Sequence, residues 1–486
     1  MTTQLEQFRQ QLYKIFPSRA DALMDLLDAL SSNTTARSVV ELSLSPLFRQ
    51  GYGSVYTAIH SFFLEDPCQA LAWQPEAYEQ KLTRLVASYL PLPQQREFFL
   101  FGLDVTPAPR PFAQTLEDRG FVHQPTPIKG NKPVAIGHQY SALVAFPEKG
   151  CPTDPPWVVP LSMRRVESQK TATRLGAEQM KDLLTDETLP FHNQLCVEVV
   201  DSAYSGVPFL GRMTDCDNLV TLARLRGNRT LYRQAKPQGR PRSQGHPTWY
   251  GSAFNLQDPT TWGVPDQKAK TIWTTKKGRI LTVHIEAWNN LLMSGTFEYP
   301  MHRHPFTLIR CTVTDEDGKQ VFRRPLWLLA MGKRRLEISL TKAWQTYGQR
   351  FDMEHFFRFG KQRLLLSTYQ TPKVDHEENW WRIVCLAYVQ LWLARSLPQT
   401  MPRPWERYLP QPLSQVASPT TVQRDFSRII RQIGSPAAVP ELCRRDAPKP
   451  RGYSPGRVKG QRQSRRERQP MVKKGPARSQ KVQLLA

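Results

Sequence analysis

The sequence has no closely spaced pair of cysteines. Its seven cysteines (Cys68, Cys151, Cys196, Cys216, Cys311, Cys385 and Cys443) are scattered and odd in number. That argues against both a disulfide framework and a cysteine-based zinc module. Long apolar runs are also missing. The most apolar stretch, Ile383 to Leu393, is interrupted by Gln390 and is too short to cross about 30 Å of hydrocarbon. It reads as a buried helix. The opening residues, MTTQLEQFRQQLYKIF, hold no apolar signal core, which predicts an intracellular protein. No glycine-rich loop ending in Lys-Ser/Thr is present, so ATP use is not indicated. Acidic residues are scarce beside basic ones: Asp+Glu 42 against Lys+Arg 66, a net charge of +24.

That surplus favours a polyanionic partner. Each phosphate neutralised by Lys or Arg releases a counterion, which supplies affinity without sequence preference. Nucleic acid is the better fit; an anionic membrane is the weaker rival. With 486 residues, 40% of them hydrophobic, the chain can bury two to four sizeable cores at roughly 100–200 residues each. The last segment, 441–486, holds 14 Lys/Arg against 3 Asp/Glu, a net +11. It is rich in Gly, Pro, Ser and Gln and is predicted to be a disordered basic tail that touches nucleic acid nonspecifically.

Residues 1–94 read as a separate helical unit. Leu23, Leu26, Leu27 and Leu30 recur at helical spacing, and Ser31-Ser32-Asn33 breaks the run. From 95 to 234 the pattern becomes α/β. Phe98 to Leu103 is a short aromatic-rich strand ending at Asp104, and Leu195 to Val200 is a second buried strand ending at Asp201. Further strands are predicted at Tyr140–Phe146, Trp157–Leu161 and Leu219–Arg224, with a polar helix over Gln169–Leu184 and a helix start at Ser205-Gly206-Val207-Pro208. Strands interleaved with helices predict an α/β core with a mixed sheet. Residues 235–325 read as a β-rich insertion, opened by the basic loop Lys236 to Arg242. Its strands are predicted at Arg279–Glu286, Thr307–Thr314 and Gln320–Phe322, the last two joined by a turn at Asp315-Glu316-Asp317-Gly318. Residues 326–400 are predicted to be the second part of the core, with helices resuming from about Thr341 to about Leu397; 401–440 is predicted to be a linker with a short helix.

Three carboxylates stand out by position: Asp104, Asp201 and Glu354. Hard divalent cations take oxygen ligands, and two of them about 3.5–4 Å apart can drive in-line displacement at phosphorus. Any one strand-end Asp could equally be a turn or helix cap. Around Glu354, spacings of 3, 4 and 7 put Tyr347, Arg350, Glu354 and Lys361 on one stripe of a single predicted helix. A phenol, a guanidinium, a carboxylate and an ammonium on one face suit a phosphodiester held against a metal. The alternative is a solvated face with Arg350–Glu354 as an i,i+4 pair.

The pattern Tyr-x2-Arg-x3-Glu-x6-Lys resembles the signature of a large group of bacterial insertion-sequence transposases of the Asp-Asp-Glu type. The resemblance covers about 95–370. It implies a ribonuclease-H-like catalytic core with the first Asp on the first strand, here in Gly-Leu-Asp104-Val-Thr. The second Asp would end the fourth strand, here in Val-Val-Asp201-Ser-Ala-Tyr. It implies that Asp104, Asp201 and Glu354 bind two Mg²⁺ ions, with Mn²⁺ as a substitute, and that Tyr347, Arg350 and Lys361 contact DNA near the cut. It also implies double-stranded DNA partners (element ends and target), a homodimer in the DNA complex, no membrane, and action in the cytoplasm at the nucleoid. A hairpin intermediate with a flipped base would need an aromatic partner, for which Trp249, Trp262 and Trp273 are candidates, though each also suits a β-domain core. The 1–94 helices would be either an end-recognition domain or a scaffold bundle.

Weaker features remain beside it. Arg224-Leu225-Arg226-Gly227-Asn228-Arg229 reads as a phosphate-binding loop, with Arg224, Arg226 and Arg229 as DNA contacts, or as a basic turn. His302 and His304 are spaced to share one strand face, as in metal-dependent nickases, but no third ligand is evident. Glu198 could replace Asp201 as a ligand, though it lies mid-strand; Asp215 and Asp217 fit a turn. Two rival functions stay open: a structure-specific nuclease on the same fold, and a catalytically inactive, domesticated DNA-binding protein.

Overall fold

The computed structural model describes residues 3–63, 75–123, 134–151, 153–235, 249–275, 278–408 and 416–440. The basic loop Lys236 to Arg242 and the tail 441–486 lie outside the described residues.

The chain opens with helices α1 (Gln4–Ile15), α2 (Ala20–Ser31), α3 (Gly53–Ser61) and α4 (Pro75–Ala87). Thr3 starts α1 with a capping box, its hydroxyl accepting from Glu6 N at 3.2 Å while the Glu6 side chain accepts from Thr3 N. Next come β1 (Phe99–Pro109), β2 (Gly120–His123), β3 (Val134–Ala145), β4 (Val159–Arg165), α5 (Ala172–Thr185), β5 (Cys196–Val200), α6 (Val207–Met213) and β6 (Leu219–Leu225). Strands β7 (Thr230–Gln234), β8 (Tyr250–Asn255), β9 (Gln267–Thr274), β10 (Ile280–Leu291), β11 (Phe306–Thr314) and β12 (Leu326–Met331) follow. The described chain closes with α7 (Leu340–Gln349), α8 (Phe351–Arg363), α9 (Val374–Leu393), α10 (Leu397–Thr400) and α11 (Pro419–Ile433).

One mixed sheet of ten strands runs β2-β3-β1-β5-β6-β12-β11-β10-β9, with β4 paired to β3. β1 pairs β5 in parallel and β5 pairs β6 in parallel; β3 and β4 add on antiparallel. This is the ribonuclease-H-like mixed α/β arrangement expected from the sequence. The apolar runs of β1 and β5 follow from their central place: every residue of β5 is buried, and so is the first half of β1.

β12 pairs with β6, and three strands of 235–325, β11, β10 and β9, add outward from it to extend this same sheet. β7 and β8 form a separate two-stranded ribbon. The helices of 1–94 do not stand apart from the core. α9 packs against β4 on one side and against α1, α2, α3 and α11 on the other. A helix enclosed all round is apolar all round, and α9 buries Trp380, Trp381 and Trp392 completely. Trp381 stacks flat on Tyr140 of β3, centroids 3.9 Å apart. Gln390, the interruption in the apolar run, has buried polar partners: its carbonyl accepts from Arg9 Nη1 at 2.5 Å and its amide donates to Ser31 Oγ at 3.3 Å. No described helix is long and apolar enough to cross a membrane. The five described cysteines are free thiols.

Three local expectations are corrected. β1 does not end at Asp104 but continues to Pro109, because β3 supplies antiparallel partners through Pro109↔Gly137. Gln320–Phe322 is not a strand: only the single bridge Thr314↔Gln320 closes the turn, and the next strand is β12. The helix carrying the four-residue stripe is two segments, α7 and α8, which abut at Arg350. Arg350 keeps helical dihedrals there, but its N–H bonds Tyr347 O and Met353 N–H bonds its own carbonyl, the tighter three-residue pattern.

Candidate active site

The parallel pairing of β1 with β5 ends at Leu103↔Val200. One step further in that register stand Asp104 and Asp201. Asp104 follows the buried face of β1, and its carboxylate accepts from Val105 N at 2.8 Å. Asp201 leaves β5 as the chain turns, accepting from Ala203 N at 2.8 Å. Two aspartates are thus fixed side by side by backbone pairing, the rigid placement that metal-assisted phosphoryl chemistry needs.

The third carboxylate arrives from α8. Gly102, two residues before Asp104 and on the same face of β1, has no side chain to separate the strand from the helix. A Cβ there would lie 2.8 Å from Met353 Sδ and 2.5 Å from the Phe146 ring. Met353 immediately precedes Glu354, so the bare glycine is what lets Glu354 approach. Glu354 is half exposed.

Arg350 sits between the two walls. Its Nη1 lies 3.1 Å from Asp104 Oδ2 and its Nη2 lies 3.5 Å from Glu354 Oε1. The i,i+4 pair read from the sequence is therefore present, but the same guanidinium also bridges to β1. The carboxylates do not form a closed cage, since Arg350 stands between two of them. Burial pushes the Asp104 carboxyl up to about 6, and Asp201 and Glu354 push it the same way against Arg350 and the Val105 N–H. Burial opposes the charge on Arg350, but Tyr347, Asp104, Asp201 and Glu354 outweigh it and hold its pKa above the ordinary value.

The remaining stripe residues divide. Tyr347 is buried, which raises its pKa, and both Arg350 and Arg224 lie close enough to counter that rise. Arg224, exposed on β6, is thus brought to the site. Arg226 is exposed on the turn into β7 and Arg229 half-buried at its end; no described contact ties either guanidinium to the carboxylates. Lys361 points its ammonium at Pro107 O on the second half of β1, 3.0 Å away, and burial lowers its pKa to about 8.

Other sequence candidates fall elsewhere. Glu198 is fully buried and accepts from Thr221 Oγ1 at 2.5 Å; burial raises its pKa to about 8, so it is held neutral. Asp215 and Asp217 lie in the turn after α6, paired with Lys181 and Lys333. His302 and His304 do not share a strand face, because Met301–Arg303 is a short 3-10 turn ahead of β11. Trp262 packs against Trp288 and Trp327, and Trp273 against Trp344. Trp249 is exposed and stacks flat on His302 at 4.1 Å. Sequence reasoning missed Tyr204, whose hydroxyl pKa is raised chiefly by burial and further by Asp104 and Asp201 nearby; its signal was the aromatic three residues after a strand-end Asp.

A group that suits this arrangement is a hard divalent cation. The carboxylate oxygens are the right donors. Asp104 is raised chiefly by burial, with Asp201 and Glu354 adding to the rise, and a bound cation would offset both. No curated protein matches the sequence. The sequence profile of the DDE superfamily endonucleases matches residues 11–284, a span that includes Asp104 and Asp201 and ends before Glu354. With more than half of its length matched and its two strand aspartates side by side on a mixed sheet, this chain belongs to the DDE superfamily endonuclease family.

Proposed function

We propose that the chain is a DNA transposase of the insertion-sequence kind, which cleaves element ends and joins them to target DNA. The observation that carries this reading is the convergence of Asp104, Asp201 and Glu354 around one guanidinium, Arg350, with Tyr347 and Arg224 beside it. Asp104, Asp201 and Glu354 would hold two Mg²⁺ ions, with Mn²⁺ as a substitute; bound there, the ions would polarise the scissile phosphodiester and lower the pKa of the attacking hydroxyl.

The chain's own residues do the rest. Arg350 bridges Asp104 and Glu354 while DNA is absent, and its fork suits phosphate oxygens equally well. Lys361, half-buried and with its pKa lowered to about 8, would carry a positive charge at neutral pH to set against a phosphate near the second half of β1. Arg224 and Tyr347 form a wall for the bound strand. Trp249 presents an exposed aromatic ring beside the site's β-rich extension, suited to stacking on an unpaired base. The partners are two double-stranded DNA ends and a target duplex, held by a homodimer.

The test uses duplexes carrying the inverted repeats that flank the gene. An end already cut to expose its 3′-hydroxyl is mixed with target plasmid and Mg²⁺. Joined product is expected. Cleavage of intact ends with no joining of pre-cut ones would remove the transposase reading and leave a nuclease on the same fold.

A further inference from the structure

His60, in the last turn of α3, meets Asp375 and His376, in the first turn of α9. His60 Nδ1 and His376 Nε2 are 2.6 Å apart, and the ring centroids are 4.6 Å apart. The same His376 nitrogen lies 3.8 Å from Asp375 Oδ2. One ligand atom from each residue falls within 4.8 Å of the other two. None of the three belongs to the carboxylate site described above.

We infer that His60, Asp375 and His376 form a second metal site, for a borderline transition ion of which Zn²⁺ fits best, stapling α3 to α9. Two imidazole nitrogens and one carboxylate oxygen are the donor set that Zn²⁺ takes, with water as fourth ligand. Mg²⁺ prefers all-oxygen sites and is disfavoured. Convergence on a single atom matters. A hydrogen-bonded histidine pair needs only two nitrogens in line, whereas here the nitrogen facing His60 also faces a carboxylate. Ligands about 2.0–2.1 Å from zinc stand roughly 3.3 Å apart in a tetrahedron, so small side-chain rotations would open the 2.6 Å contact enough to admit the ion.

The frame around the site is already fixed. Asn379, buried one turn along α9, donates to Ile59 O at 2.9 Å and His60 O at 3.4 Å, pinning the end of α3. The Asp375 side chain is 62% exposed, which leaves a route from solvent. The positive end of α9 opposes a cation, and the Asp375 carboxylate offsets it. The next residue, Glu377, is fully buried and binds Arg110 at 3.2 Å, His138 at 3.3 Å and Tyr140 at 3.1 Å, on and just after β1 and β3. A metal at His376 would therefore fasten the N-terminal helices to the point where α9 is locked onto the catalytic sheet.

The experiment titrates the chelator-stripped full chain with Co²⁺, whose visible spectrum reports a tetrahedral site of mixed nitrogen and oxygen ligands, and then displaces it with Zn²⁺. One equivalent of such Co²⁺ is expected. It should be lost in His60→Gln and in His376→Gln, weakened at least tenfold in Asp375→Asn, and kept in Glu354→Gln. Zn²⁺ should raise the Tm of the parent chain by a few degrees and leave that of folded His376→Gln unchanged. If the parent chain shows no such spectrum, or if the signal vanishes in Glu354→Gln and persists in His60→Gln, the pair is a histidine hydrogen bond only and the inference is overturned. Because the parent chain alone can give that negative result, a variant that fails to fold does not shelter the idea.

Discussion

Burial raises the Asp104 carboxyl, Arg350 opposes that rise, and Asp201 and Glu354 add to it, and its pH behaviour follows. Its folded pKa of about 6 lies above the ordinary 3.8. A group raised in this way favours folding fully below its unfolded pKa, and that contribution is lost as pH rises through about 6. Ionising the site therefore costs stability between about pH 4 and pH 6, and a divalent cation relieves that cost. Mn²⁺ binding followed by electron paramagnetic resonance should tighten up to about tenfold per unit below pH 6 and level off above it. Asp104→Asn should abolish the step along with much of the binding. A pH-independent affinity in the parent chain would mean that Asp104 is not a ligand.

At the scale of elements, the meeting of β1 and α8 decides whether the third carboxylate arrives. Gly102→Ala puts a Cβ against Met353 and Phe146, and overpacking of this kind costs about 1–3 kcal/mol. The cleavage rate should fall by more than ten-fold at temperatures where melting curves show the variant folded, since the strain displaces the helix that carries Glu354. Near-normal cleavage in a folded variant would show that α8 tolerates the shift. The same pair of elements shows what was legible beforehand. The strand ending in Asp201 and the Tyr-Arg-Glu-Lys spacing could be read because apolar runs and helical periods are local signals. The length of β1 beyond Asp104 could not, since its second half is held by β3, whose pairing is a long-range property. The break between α7 and α8 had only a weak local signal, Gly348 in the last turn of α7, since no proline or other breaker stands at Gln349-Arg350-Phe351. Arg350 as a bridge to β1, and the His60–Asp375–His376 cluster, both join residues far apart in sequence, which no spacing rule reveals.

For the whole molecule, the N-terminal helices and the catalytic core share one hydrophobic interior. Its polar tie is Arg9, nearly fully buried, which donates to Asp28 Oδ2 at 2.8 Å and to Gln390 at 2.5 Å. Arg9→Ala would strand the buried Asp28 charge, a loss of about 3–5 kcal/mol that a urea midpoint would register; a loss below about 1 kcal/mol would mean that the network is not structural. The charge of the chain is unevenly placed, with +11 of its +24 in residues 441–486. Removing that segment should weaken nonspecific DNA binding and flatten its salt dependence, read as the slope of log affinity against log salt. An unchanged slope would show that it does not touch phosphates. The central claim also belongs to this scale, because Arg350 and Asp104, paired in the site, are 246 residues apart in sequence. Its most direct test measures metal-dependent cutting and DNA affinity side by side for Asp104→Asn, Asp201→Asn and Glu354→Gln. Each variant should lose cutting by at least about a thousand-fold and bind element-end DNA within a few-fold of the parent chain; Glu354→Gln cutting at full rate would contradict the assignment of the site.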